Sequence, residues 1–338
     1  MVDTAVVAVP LSILDLAIIG RGETARHALD GAVAVAQRAE ACGYRRVWYA
    51  EHHNMASIAS SATSVLIAHV AANTRTIRLG SGGIMLPNHS PLTIAEQFGT
   101  LATLHPGRID LGLGRAPGTD ERTTRALRRD PRAADSFPED VLELQGYLSG
   151  STRVAGVEAI PGSGTDVPLY ILGSSLFGAQ LAALLGLPFA FAAHFAPELL
   201  QTAVALYRQE FRPSAQLAEP YAMAALNVIA TDTDEDAERQ LERVRRSRVA
   251  RFLAPGRTLD DHDIDALLAS PQGRQILRMM HYTVAGTPPT VKAYLDTFTD
   301  HADADELVVV HASPTLATRL HSVELTAEVH GLMPAVTG

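Results

Sequence analysis

A (β/α)8 barrel is the fold class predicted by this 338-residue chain, and three observations predict it. Eight short apolar runs of strand type alternate with helical patterns, which calls for a parallel sheet. Eight such units close a barrel, and one barrel of about 250 residues or more fits the length as a single domain, 1–338. The first strand candidate also lacks the GxGxxG turn of a doubly wound dinucleotide fold, with Leu14-Asp15-Leu16-Ala17 in its place. An open doubly wound sheet is the second choice.

In chain order the strand candidates are 8–14, 46–49, 77–82, 109–113, 169–172, 189–192, 223–229 and 307–310. The helix candidates are 24–42, which ends before Gly43, then 62–72, 91–104, 138–148, 177–185, 197–211, 234–251 and 288–298. Two connections are long, 114–137 and 252–287, and long connections in compact domains often cover active sites. Both are lid candidates. Residues 167–197 contain no Asp, Glu, Lys or Arg over a length that spans a bilayer. Pro168, Gly173, Gly178, Gly186 and Pro188 cut this stretch into strand, helix and strand, so no membrane segment is expected.

Composition excludes several classes. A 47% hydrophobic share describes a globular chain that buries a core without disulfides. Cys42 is the single cysteine, which rules out an internal disulfide or a CxxC metal site and fits a cytoplasmic protein. A net charge of −9 argues against nucleic-acid binding, which needs a basic field. Among 28 basic residues only Lys292 is lysine, so Schiff-base chemistry is confined to that position. The N-terminus has no basic residue before Arg21 and carries Asp3 and Asp15, unlike a signal peptide.

In a barrel the active site is built from residues that follow the strands. Here those are Glu51-His52-His53-Asn54, Ser81-Gly82-Gly83, Gly114-Arg115, Gly173-Ser174-Ser175 and His194. Arg115 beside the start of a helix capped by Ser175 makes an anion site suited to phosphate, although an ordinary N-cap and a surface arginine fit the same residues. His52 and His53 point to opposite faces if the strand continues, and no third ligand stands at recognisable spacing, so no metal site is expected. A histidine at a barrel mouth suits proton transfer near neutral pH, and a hydrogen-bonded structural histidine fits equally. Ser81-Gly82-Gly83 permits close backbone approach to a ligand or marks a bulge. The acidic run 260–263 and the arginine-rich run 243–248 read as solvated surface.

Five blocks carry a family resemblance: Trp48-Tyr49-Ala50-Glu51-His52-His53-Asn54-Met55, residues 79–91 (LGSGGIMLPNHSP), residues 106–118 (PGRIDLGLGRAPG), Ile171-Leu172-Gly173-Ser174-Ser175, and residues 186–195 (GLPFAFAAHF). In this order, and collinearly from about Pro10 to His321, the chain resembles the luciferase-like flavin monooxygenases, and within them the YhbW-like subgroup. The resemblance implies a barrel that binds reduced FMN at its strand ends, reacts it with O2 at flavin C4a and hydroxylates or epoxidises a small organic substrate, with an aromatic or polyketide-type product favoured. By position it implies His52 and Glu51 as the catalytic candidates. Ser81, Gly82, Gly83 and Gly114 would border the flavin, with Gly82–Gly83 a cis peptide under its ring, and Arg115, Gly173, Ser174, Ser175 and Gly178 would surround the phosphate. Leu14, Met85 and His194 would line the substrate pocket. Gly114 stands where luciferase has a reactive cysteine and Ser174 where it has a glutamate, so light emission from a long-chain aldehyde is not implied. F420-dependent hydride transfer and non-catalytic flavin binding are the alternatives in this fold. A chain filled by one barrel leaves no reductase module, so a separate NAD(P)H:flavin reductase is the expected partner, together with a second copy of the chain as a homodimer.

Overall fold

The structure is a computed structural model and describes residues 8–333 except 21, 117 and 131. The chain runs β1 (Leu11–Asp15), α1 (Ala25–Cys42), β2 (Arg46–Tyr49), α2 (Thr63–Ala71), β3 (Arg78–Met85), α3 (Pro91–Leu104), β4 (Ile109–Gly114), α4 (Glu121–Ala126), α5 (Phe137–Ser149) and β5 (Leu169–Gly173). It continues with α6 (Leu176–Leu185), β6 (Phe189–Phe191), α7 (Leu200–Glu210), β7 (Ala222–Ala230), α8 (Asp234–Leu253), α9 (Asp261–Ala269), α10 (Pro271–Arg278), β8 (Thr283–Gly286), α11 (Pro288–Ala302), β9 (Glu306–His311) and α12 (Leu316–His330). Parallel pairing proceeds β6-β5-β4-β3-β2-β1-β9-β7, and a β6–β7 pair closes the sheet into an eight-stranded barrel. The ninth strand, β8, pairs with the end of β7, from Asn227 opposite Thr283 to Ala230 opposite Gly286.

Alternation along the strands divides the apolar residues into two sets. Leu14, Trp48, Tyr170, Met223, Ala225, Val308 and Val310 pack inside the barrel. Leu11, Ile13, Val47, Tyr49, Leu111, Leu226 and Val309 face the surrounding helices in the larger core. In the outer layer α1 packs on α2 and α12, α2 on α3, α3 on α5, α6 on α7, α7 on α11, and α11 on α12.

The predicted barrel strands are all present, with shifts of a few residues at their ends. Residues 167–197 form β5, α6 and β6, as their punctuation indicates, and no helix among the described residues is long and apolar enough to cross a membrane. The helices required more correction. The eight predicted ones include both α8 and α11, which follow the same barrel strand, while α12 was not among them. Its inward face mixes apolar Val323 and Ala327 with polar groups: buried Ser322 accepts from Ala230 N–H (3.0 Å) and lies 2.9 Å from His311 Nδ1, and His330 Nε2 lies 2.8 Å from the carbonyl of Val9. Residues 252–287 are no open loop, because α9, α10 and β8 occupy most of them. The acidic run at 260–263 is the start of α9, where Asp260 accepts from the N–H of Asp263 and the acids complement the helix dipole. Residues 114–137 contain α4 and a short 3-10 turn; Pro117 and Pro131 lie outside the described residues.

The floor of the barrel, at the N-terminal ends of the strands, holds a buried ionic cluster. Arg46, 1% exposed, donates to Asp110 Oδ2 (2.8 Å), Tyr170 (2.7 Å) and Glu306 Oε2 (3.2 Å). Trp48 Nε1 and Arg78 donate to Asp110, and Ser12 and Tyr221 donate to Glu306. Burial would lower the Arg46 pKa, but Glu306 and then Asp110 outweigh it and raise it.

Candidate active site

At the opposite end, β2 stops at Tyr49 and the chain enters Glu51-His52-His53 without continuing as a strand. Glu51, 1% exposed, is the hub of three loops. Its Oε1 accepts from His53 Nε2 (2.7 Å), His89 Nε2 (2.9 Å) and Asn88 (3.4 Å), and its Oε2 from the N–H of Met85 (3.0 Å). Burial pushes the Glu51 carboxyl up, but His89, His53 and the Met85 N–H together hold it below the usual carboxylate range. The loop after β4 completes this wall. Thr119 donates to the His53 carbonyl, Asn54 donates to Asp120, and Arg129 donates to the carbonyls of Pro87 and His89.

His52 takes no part in the Glu51 hub. It is half-buried, and its Nδ1 is shut off from solvent without a hydrogen-bond partner. Burial lowers its pKa, and the backbone of Gly118 and the charge of Glu51 offset this only in part. His194, after β6, is in the same condition. Its Nδ1 is orphaned, and burial, Arg248 and His52 push it down to about 3, so it is neutral at physiological pH. Asn227 of β7 donates to the His194 carbonyl at 2.8 Å and fixes this turn.

The glycines expected near a ligand are tightly fitted. Gly82–Gly83 is a cis peptide. A Cβ at Gly82 would lie 2.6 Å from Leu14 Cδ1, one at Gly83 2.6 Å from the carbonyl of Gly112, and one at Gly114 2.9 Å from Met85 Sδ. Ser81 is fully buried and donates to the Gly112 carbonyl at 2.8 Å, so its hydroxyl ties β3 to β4. Leu14 lies inside the barrel among Trp48 and Tyr170, and Met85 borders Gly114 and Gly118.

The anion-type site assembles through register. Gly114 lies opposite Leu172, so Arg115 emerges beside Gly173. Its guanidinium sits 4.0 Å from the ring centre of Phe177, in the first turn of α6. Ser175 is the N-cap residue of α6, but its hydroxyl makes no cap hydrogen bond, contrary to the expected cap. The free N–H groups of the first turn therefore meet no side chain of their own helix.

Two groups have no role assigned by the sequence, although His89 follows the third strand there. His89 arrives from the loop after β3, and with Glu51 and His53 it forms a set whose ligand-type atoms lie within 4.8 Å of one another. That set could hold a metal ion, although here both imidazoles hydrogen-bond to the carboxylate. Arg248 and Arg251 of α8 are the second group. Their charges act on His194 and His52 respectively, which places them at the barrel mouth and not on the solvated face expected for Arg248.

Residues 10–303 match the family model of luciferase-like monooxygenases. The chain belongs to that family. A luciferase-like monooxygenase of Escherichia coli is 47% identical over 330 residues, covering 95% of this chain and 97% of its own. An N-acetyl-S-alkylcysteine monooxygenase of Bacillus subtilis is 39% identical over 257 residues, covering 74% and 75%. The crystal structure of apo-MsnO8 superposes with a TM-score of 0.85 at 33% identity, covering 96% and 99%. At 17% and 16% identity, the FMN complex of a 3,6-diketocamphane monooxygenase from Pseudomonas putida (TM-score 0.71, covering 98% and 100%) and an F420-dependent secondary alcohol dehydrogenase (0.70, covering 98% and 100%) share the fold. Membership in the luciferase-like family makes this chain an oxidoreductase of that class.

Proposed function

We propose that this protein is an FMN-dependent monooxygenase that uses reduced FMN and O2 to oxygenate a small organic substrate. The observation that carries the reading is the uncapped start of α6, with Arg115 held against its first turn, a place for a phosphate in an otherwise acidic protein. The residues fit the cofactor. Arg115, Ser174 and Ser175, with the backbone of Gly173 and Gly178, would hold the phosphate, while Gly82, Gly83 and Gly114 would border the ring system. When bound, reduced flavin supplies the electrons that activate O2.

The chain's own residues do the rest. His52, with a free Nδ1, holds or delivers a proton at that atom. Glu51 touches no reacting group in this reading; its carboxylate fixes the loops after β2 and β3 and thereby positions His52. Leu14 and Met85 exclude water, and His194 borders the substrate; Ile84 and Leu113, expected in the same wall, lie in the outer core against the helices. The substrate class is an N-acylated S-alkylcysteine, supported by the relative of that activity, or the aromatic or polyketide-type product that the resemblance suggests. A separate reductase delivers reduced flavin to a cytoplasmic homodimer. F420-dependent hydride transfer is the second reading, favoured by an F420-dependent enzyme among the fold neighbours.

Arg115→Ala should weaken FMN binding by about 1.5–3 kcal/mol, the worth of hydrogen bonds to a charged group, while leaving folding unchanged. Titration of FMN and of F420 into both proteins checks this. Mixing the FMN-loaded protein with reductant, 18O2 and a thioether substrate should place one labelled oxygen in the product. Tight F420 binding without oxygen uptake would replace the monooxygenase reading by hydride transfer.

A further inference from the structure

Helix α8 carries its arginines in two states. Arg239 pairs with Asp236 at 2.7 Å, and Arg246 pairs with Asp261 (2.8 Å) and Asp265, while Arg243 and Arg245 are exposed to water. Arg248 and Arg251, three positions apart and so on one face of the helix, are half-buried and have neither an ion pair nor a hydrogen bond among the described residues. That face turns inward. The helix leaves directly from the end of β7 and packs on β7 and β8, and the groups its two arginines act on are His194 and His52.

No carboxylate among the described residues pairs with either arginine. Both histidines have an orphaned Nδ1, and Glu51 has both oxygens occupied by His53, His89, Asn88 and the Met85 N–H. Burial together with Arg251 pulls Arg248 down to about 10, and burial lowers Arg251 as well. Two like charges withdrawn from water with no counter-charge raise the free energy of the protein alone, and an anion placed between them removes that penalty. The Arg115 site is built from another element, the end of β4 beside the start of α6.

We propose that Arg248 and Arg251 recognise a carboxylate on the organic substrate, so that this enzyme acts on small organic acids whose apolar end reaches inward past His52 and His194. A carboxylate suits a guanidinium pair because each planar fork donates two parallel hydrogen bonds and the carboxylate oxygens accept them. The proposal rests on the monooxygenase reading for the fate of the substrate, and not for its binding.

Calorimetric titration of the full chain, with and without FMN, tests it. The probes are N-acetyl-S-benzylcysteine and its methyl ester, which differ in charge and little in shape. The acid should bind about tenfold or more tightly than the ester. Arg248→Met and Arg251→Met should bring the ratio near one while leaving ester and FMN affinity unchanged, and Arg248→Lys, which keeps the charge, should restore part of the preference. Equal binding of acid and ester, no saturable binding of the acid, or a preference that survives in the double Met variant would overturn the proposal. Loss of FMN affinity in the Met variants would also overturn it, by assigning the pair to the cofactor. Failure of the chain to bind FMN at all, with the acid preference intact, would count against the flavin reading alone.

Discussion

At the floor of the barrel Arg46 is 1% exposed and meets Asp110, Glu306 and Tyr170, whereas at the mouth Arg248 and Arg251 are half-buried without a carboxylate partner among the described residues. The same contrast holds for histidines. His311, behind the sheet, has Tyr44 and Ser322 on its two nitrogens, while His52 and His194 at the mouth each leave Nδ1 unpartnered. Both ends bury charge in little water, so the difference lies in whether the chain itself supplies the counter-group. Where it does, the group serves the fold. Where it does not, the vacancy marks a place for something the chain has yet to bind.

Substitutions at the two ends should therefore separate stability from activity. The largest effect belongs to the floor. Arg46→Met leaves Asp110 and Glu306 as buried charges with fewer partners, and should cost about 3–5 kcal/mol in urea unfolding. A loss below 1 kcal/mol would mean that the cluster is hydrated and does not close the floor. At the mouth, His52→Ala should reduce turnover by about 100-fold or more with unfolding unchanged and FMN affinity retained. Unaltered turnover would remove His52 from the mechanism.

A third effect, spread over several pH units, is a slope with pH. His311 is pushed down to about 3, first by burial and then by the charge of Arg319. Its folded value lies below the ordinary histidine value of about 6.5, so the unfolded chain takes up the proton first as pH falls. The stability it contributes is complete above about pH 6.5 and is lost toward pH 3, by about 1.4 kcal/mol per pH unit. Unfolding of the wild type and of His311→Gln between pH 7 and 4 should show the variant with the shallower slope. Parallel slopes would mean that His311 opens to water in the native state.

The barrel strands were legible because a strand buried on both faces reads as a continuous apolar run. Elements whose stability comes from polar contacts were not. The buried residues of α12 mix Ser322, Thr326 and His330 with Val323 and Ala327, and α9 has no buried residue at all, so neither shows a continuous buried apolar stripe. Within the candidate site, Glu51, His52 and Arg115 announced themselves by following strands. His89 also follows a strand, but its role rests on a bond to Glu51, 38 residues away in the chain, and Arg251 follows none. Arg248 was legible only as one member of an arginine-rich run, and the sequence does not say which members of a helix face inward.

The segment that carries Arg248 and Arg251 leaves the barrel after Ala230 and returns as β8 alongside the very strand it left, with Asn227 opposite Thr283. Its two ends are thus pinned side by side on β7, and the entropy of closing such a loop grows only slowly with its length. The wall made by the loops after β2, β3 and β4 is the reverse case, since Glu51 and its neighbours fasten all three to one another. Half of the mouth is a fixed jaw, and the other half is an interchangeable cartridge. Exchange of residues 231–282 between relatives would alter what this barrel accepts, and through Arg251 the basicity of His52, while the wall fastened by Glu51 stays in place.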